Sequence, residues 1–323
     1  MTTQEYMIDR LKTLANIPSP TGMTREATDF LLAELTQLGY APKRTPKGAV
    51  VCELGGSGHP LLLSAHVDTL GAIVRAVKSN GCLHYDQIGG YNDNAIENEN
   101  VVIYSRQAGK TFTGTVQSVH ASRHVWGKNS ADERSDKTLE VVVDEESWTK
   151  EATEALGIRA GDMIAFDPRF TVTDSGFIKS RHLDDKASSA VLLTLAREAA
   201  EGRVVLKRKV TLLFTVYEEV GHGASPMYGS DTEDMLAVDM GCVGDDLSCR
   251  ENMVSICAAD AAGPYDFDFT NELIAIARAQ ELPYAVDVYP YYSSDTATAL
   301  KAGLDARFAL CGQGVFASPG YER

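Results

Sequence analysis

Four short segments each place a metal-capable side chain at or just beyond the end of an apolar run. SAHVDTLG carries His66 and Asp68, SRHLDDKASSA carries Asp184 and Asp185, LLFTVYEEVGHGAS carries Glu218 and Glu219, and MLAVDMGC holds Asp239 inside an apolar strand. Residues two apart in a strand share a face. Asp68 is therefore able to hold one imidazole nitrogen of His66 while the other meets a metal, the usual support behind a ligand histidine. A buried strand-end histidine with an acidic neighbour accounts for the same pair. Asp184 and Asp185 lead into a helix, where aspartate is a preferred cap, but a cap needs only one of them. Glu218 and Glu219 close a strand too apolar to end in two carboxylates unless something cationic neutralises them. One of the two would bind metal and the other take a proton from the attacking water, the division of labour in metal-assisted hydrolysis. Asp239 is costly to bury alone, so it needs a partner or an ion. Oxygen and imidazole donors of this kind suit hard or borderline divalent cations, and the order His-x-Asp, Asp-Asp, Glu-Glu, Asp is far more specific than any one segment.

The elements that must position these groups follow from periodicity. Tyr6, Met7, Leu11, Leu14 and Ala15 mark one helix face, and Ala27, Phe30, Leu31, Leu35 and Leu38 mark a second, starting near Thr24 and stopped by Gly39. A strand pair is expected next, residues 49–54 and 60–67, joined by a glycine turn. The run LLLSAHV reads as a buried strand of a parallel sheet. From 72 to 171 short β-type runs (VVIYS, FTGTVQSV, LEVVVD, MIAFD) alternate with turn residues, as in a small β-barrel, with loops at 92–100 and 122–137. Strand and helix alternate again after Ser175. The fold class is α/β: a mixed-sheet catalytic domain formed by residues 1–71 and 172–323, with a small β-barrel-like domain, 72–171, inserted into it. In such sheets ligands bind beyond the carboxyl ends of the strands.

Bulk properties narrow the function. A net charge of −15 over 323 residues argues against nucleic acid or an anionic membrane as partner. Six cysteines without a CxxC pair read as reduced thiols, and the N-terminal segment reads as an amphipathic helix rather than a signal peptide. A cytoplasmic location is the expectation, with no membrane span.

In order and spacing, the stretches IPSPTG, SAHVDTLGAIV, IGGYN, SRHLDDKAS, TVYEEVGHGAS, AVDMG and GQGVFASPGYER resemble the metallopeptidase family 42 aminopeptidases. This is the group of glutamyl and tetrahedral aminopeptidases, often labelled endoglucanases. The resemblance implies two divalent ions per chain, zinc or cobalt first and manganese as an alternative. His66 and Asp239 would be ligands of one ion, Glu219 of the other, and Asp184 would bridge them. Asp68 would orient His66, and Glu218 would be the general base. It further implies a cis peptide between Asp184 and Asp185, a dimerisation role for the inserted domain, and homo-oligomers from dimers up to dodecamers. The substrates would be peptides with a free N-terminus. Asp295, in SSDTATA, matches a stretch near the family's active site and would help shape the substrate pocket.

One departure stands out. The family's closing Ser-His-Gly-Tyr-Glu-Arg supplies the last ligand of the second ion, and here it reads Ser318-Pro319-Gly320-Tyr321-Glu322-Arg323, without the terminal helix the family usually carries. The second ion would keep only Asp184, Glu219 and water, leaving that site weak or empty. Neither His182 nor His222 matches a family ligand, and His120 and His124 read as loop or interface residues. The alternative function is therefore a catalytically impaired homologue serving as an assembly or peptide-binding subunit. A glycoside hydrolase would need two carboxylates flanking a sugar cleft, which does not explain the strand-end histidine.

Overall fold

A computed structural model describes residues 1–131, 133–226 and 231–323. The chain forms two compact units: Met1–Thr69 with Phe170–Ser318 and Glu322–Arg323, and Leu70–Arg169 with Pro319–Tyr321. The first unit opens with helices α1 (Thr3–Asn16) and α2 (Arg25–Gln37) and strands β1 (Lys43–Arg44), β2 (Val50–Gly55) and β3 (Pro60–His66). The second holds β4 (Gly71–Val77), β5 (Leu83–Ile88), β6 (Asn100–Ser105), β7 (Lys110–Ser118), helix α3 (Arg123–Trp126), β8 (Leu139–Val143), α4 (Lys150–Ala155) and β9 (Met163–Phe166). The chain returns to the first through β10 (Thr171–Val172), β11 (Ile178–Lys179), α5 (Leu183–Ala200), β12 (Lys209–Thr215), β13 (Asp234–Val238), β14 (Gly241–Val243), β15 (Val254–Asp260) and β16 (Gly263–Pro264). It ends with α6 (Phe267–Ala279), β17 (Tyr284–Val288), α7 (Asp295–Lys301) and β18 (Arg307–Phe316).

The first unit is built on a mixed sheet of order β1-β2-β12-β3-β13-β18-β15-β16, with β17 beside β15 and β14 beside β18. Its centre is parallel: β12, β3, β13 and β18 run the same way, with Thr215 opposite His66 and Val238 opposite Cys311. Both faces of β3 are covered. Leu63 and Ala65 pack with Leu14, Leu31, Leu193 and Phe214, whereas Leu62 packs with Leu213, Met235 and Phe308. That double burial is why the strand reads as an unbroken apolar run rather than an alternating one. Helix α1 starts with a capping box: the Thr2 hydroxyl accepts from the Glu5 amide at 3.1 Å, and the Thr2 amide donates to the Glu5 carboxylate at 2.8 Å.

Two expectations need correction. The strands near 49–54 and 60–67 form, but they are not paired with each other. Strand β12 lies between them, antiparallel to β2 and parallel to β3. Short glycine connections suggest a hairpin, yet a strand as apolar as LLLSAH gains more from two sheet neighbours than from one. The second correction concerns Asp239, which lies past the end of β13, in the break before β14, rather than inside a strand.

The second unit is a closed barrel of order β4-β5-β8-β7-β6-β9 around Val74, Leu83, Ile103, Val116, Val141 and Ile164. The mixed α/β sheet and the barrel agree with the fold class expected from the periodicity. Residues 92–100 contain a turn of 3-10 helix, Asp93–Ala95, and 122–137 hold α3 and a second such turn, Gly127–Ala131. Asp132, within the expected loop 122–137, lies outside the described residues.

Candidate active site and metal centre

The site residues of the first unit collect where the parallel strands end, the edge at which sheets of this type bind ligands. His66 is the last residue of β3. Glu218 and Glu219 follow β12, Asp239 follows β13, and Ser318 and Glu322 follow β18. Asp184 and Asp185 lie in the first turn of α5, where the helix is broken: both have non-helical backbone angles, the peptide between them is cis, and no side chain caps the helix. Asp184 belongs to the ligand group, and neither aspartate caps the helix.

One group of candidate ligands is complete. Single donor atoms of His66, Asp184 and Asp239 all lie within 4.8 Å of one another. The His66 Nε2 is 3.0 Å from Asp184 Oδ1 and 3.8 Å from Glu218 Oε2. Its other nitrogen, Nδ1, donates to the Asp68 main-chain carbonyl at 2.9 Å, and the Asp68 carboxylate is farther, at 3.6 Å. The nearer support for the ring is therefore the Asp68 backbone, where the sequence suggested its carboxylate. That carboxylate, fully buried, accepts from the Thr21 hydroxyl at 2.7 Å, the Glu218 amide at 3.1 Å and the Glu219 amide at 3.3 Å. It ties the loop after β12 to the loop after β3.

Asp184 accepts from the Ser318 hydroxyl at 3.3 Å, and its own amide donates to Glu322 at 3.2 Å. Asp185 points elsewhere, accepting from the His66 amide at 3.2 Å. Asp239 accepts from the Met240 amide at 2.6 Å. Asp295 stands at the start of α7, bonded to the Thr215 hydroxyl and, at 2.7 Å, to the Ala224 amide. Gly223 faces it so closely that a Cβ there would meet Asp295 Oδ1 at 2.2 Å. The histidines are settled by position among the described residues: His222 is exposed and stacks on Tyr217 at 5.0 Å, His182 is buried with a left-handed φ of 68°, and neither belongs to the ligand group. In the barrel unit the His120 ring lies 4.2 Å from that of Trp126.

The electrostatics are lopsided. Burial, followed by the charges of neighbouring acids, pushes Glu218, Glu219 and Asp185 well above the ordinary carboxylate range. The same causes push Asp239 up to about 7 and Glu322 up to about 8. Burial opposes the imidazolium of His66, but its bond to Asp184 and the charges of Glu218 and Asp239 hold it well above normal. One Glu219 oxygen and one Asp185 oxygen are buried without a hydrogen-bond partner. So many acceptors with so few donors fit a divalent cation. The other end of β13 makes the contrast plain: Asp234 there is held by Arg208 and Arg307, each at 2.7 Å. His66, Asp184 and Asp239 fit one ion, whereas Glu219 has only Asp184 of the expected set to share a second.

The residues that sequence reasoning missed are Tyr292 and Glu322. The Tyr292 hydroxyl is buried beside Asp239 without a well-formed hydrogen bond. Nothing in its local sequence, VYPYYSSD, signals that placement, whereas Glu322 stood within the recognised closing motif.

Comparison with known proteins places this architecture, a mixed-sheet α/β unit carrying an inserted barrel, in one family. Residues 48–319 match the model of the M42 glutamyl aminopeptidases. The protein YhfE of Bacillus subtilis (strain 168) is 40% identical over 325 residues, spanning 100% of this chain and 94% of its own. The chain belongs to the M42 aminopeptidase family, a family of hydrolases that cleave peptides. Its fold is shared with a TET aminopeptidase of the marine sediment archaeon Thaumarchaeota archaeon SCGC AB-539-E09, with a TM-score of 0.87, 17% identity and coverage of 99% and 91% of the two chains. The Pyrococcus horikoshii TET1 peptidase, which assembles into a tetrahedron or a large octahedral shell, gives 0.83 at 20% identity, covering 98% and 93%.

Proposed function

We propose that this protein is a metal-dependent aminopeptidase that removes N-terminal residues from peptides, with Glu218 as the general base. The observation that carries this reading is the convergence of His66, Asp184 and Asp239 within 4.8 Å beside the Glu218 carboxylate. Divalent ions, zinc or cobalt first and manganese as an alternative, neutralise the carboxylates and polarise the scissile carbonyl when bound. His66 and Asp239 would hold one ion, Glu219 a second, and Asp184 would be shared. The bond from Nδ1 to the Asp68 carbonyl leaves Nε2 as the ligand nitrogen. Asp68 keeps Glu218 in place through the Glu218 amide. Glu218, raised by burial, takes a proton from the attacking water and returns it to the leaving amine. Asp295 supports the pocket wall through Thr215 and Ala224.

The substrate is a peptide with a free amino terminus, whose positive charge suits an acid-rich site. We further propose a homo-oligomer built from dimers, up to a dodecamer, with the barrel unit as the dimerisation element. The assemblies of the TET peptidases of like fold support this. Six free cysteines fit the reducing cytoplasm, and no described helix is long and apolar enough to cross a membrane.

The second reading, an impaired assembly or peptide-binding subunit, is favoured by one observation: Pro319 offers no side-chain ligand where the family motif has histidine. Metal content, measured alongside hydrolysis of a panel of aminoacyl chromogenic substrates, separates the two. About two ions per chain with turnover supports the enzyme, and one ion or none without turnover supports the scaffold. Glu218→Gln is expected to abolish hydrolysis at unchanged metal content; wild-type activity in that variant would remove Glu218 from the mechanism.

A further inference from the structure

A site that stabilises a transition state aims cations or hydrogen-bond donors at the oxygen that becomes negative. Around the cluster almost every side-chain donor is already committed. The Thr21 hydroxyl serves Asp68, Ser318 serves Asp184, Thr215 serves Asp295, His66 Nδ1 serves the Asp68 carbonyl, and Lys186 serves the Ile17 carbonyl at 2.6 Å. Tyr292 is different. Its hydroxyl is buried and faces Asp239 without a well-formed hydrogen bond, and Asp239, Asp184 and Glu218 are the acids that act on it most strongly. Burying such a donor without a well-formed bond is costly, so its place needs a further explanation.

The ring is held firmly by contacts that have nothing to do with the acids. It packs edge-on against Tyr289, with centroids 5.4 Å apart at 74°. Tyr289 is itself anchored through its hydroxyl to Ser255. The Tyr292 carbonyl accepts from the Ala261 amide at 3.0 Å. A fixed phenol beside Asp239 is a neutral donor in a ring of acceptors. Once cations satisfy those acceptors, the oxygen of a tetrahedral species formed at the substrate carbonyl is the one new acceptor that it can serve.

We propose that Tyr292 is a catalytic residue whose hydroxyl donates to the oxyanion formed when water adds to the scissile carbonyl. This rests on the aminopeptidase reading above. It adds a role for a residue outside the ligand and base set and involves no proton transfer, since the phenol keeps its proton throughout.

The test is Tyr292→Phe in the metal-loaded full-length protein, a change that removes the hydroxyl facing Asp239 and keeps the ring. The expected result is a fall in kcat of about hundredfold, the usual loss for one oxyanion donor, with KM within about twofold. Metal per chain and the thermal midpoint should stay as in the wild type. A peptide phosphonate mimicking the tetrahedral species should bind about a hundredfold more weakly to the variant, while a substrate-like amino-acid amide binds equally to both. Wild-type kcat in the variant, or equal losses for both inhibitors, overturns the role of Tyr292 and leaves the aminopeptidase reading intact. A wild-type protein that holds metal yet hydrolyses no aminoacyl substrate overturns both.

Discussion

At the scale of single residues, the site is a balance of charge that the polypeptide leaves open. Asp234 and Asp239 bracket the same short strand. The first meets two arginines, and the second meets a histidine, an amide and other acids. Replacing Asp239 by asparagine keeps its shape and its bond from Met240 but removes one negative ligand. Ion affinity should fall by at least about tenfold, equivalent to about 1.4 kcal/mol, as read by titration with zinc and a competing chelator. Unchanged affinity would show that Asp239 is not a ligand. His66, Asp184, Glu219 and Asp239 were legible because each is a charged or imidazole residue at the end of an apolar run, where burial without compensation is expensive. Tyr292 was not legible, since an aromatic residue near a turn is common in any core. The way Asp68 supports His66 was only half readable: spacing brought the two together, but whether carbonyl or carboxylate lies nearer depends on the bend that follows His66.

At the scale of elements, the question is how strands from distant parts of the chain approach closely enough to share an ion. Gly312 on β18 supplies one answer. A Cβ at that position would lie 1.9 Å from the Asp239 carbonyl oxygen and 2.7 Å from its carbon, both rigid backbone atoms. Gly312→Ala is therefore expected to push the segment after β13 out of place, costing about 1–3 kcal/mol and weakening ion binding together with stability. Gly90→Ala, where a Cβ meets nothing within 4 Å, serves as control and should change stability by no more than about 0.5 kcal/mol. If both variants melt and bind zinc like the wild type, close approach at Gly312 is not what positions Asp239. Such proximity is invisible in a linear sequence, as is the insertion of β12 between β2 and β3. The elements themselves were readable. Helices α1 and α2 follow their apolar stripes, with Leu11, Leu14, Leu31 and Leu35 buried as the spacing required. Neighbour relations were harder, because a strand buried on both faces carries no alternation to show which strands flank it.

At the scale of the whole molecule, the chain divides its tasks. Among the described residues the candidate ligand group lies in the first unit, and the barrel has a separate apolar core of its own. Removing ions should then act on one unit only. With ions at about a hundred times their dissociation constant, binding contributes about 2.7 kcal/mol, so chelation should lower the first unit's melting transition by about 5–10 °C. Scanning calorimetry with and without EDTA reads this directly. A melt indifferent to chelation would mean that the acids are neutralised by protons rather than by cations, in keeping with how far burial raises them.

The place of β12 in the sheet also bears on how the protein is made. Strands β2 and β3 leave the ribosome early, while the strand that must slide between them is encoded after the entire barrel. At a synthesis rate of about 5–20 residues per second, both strands are made many seconds before the segment that joins them. The central sheet of the first unit therefore closes only after the barrel has been made, when the strand that joins its two earlier rungs arrives.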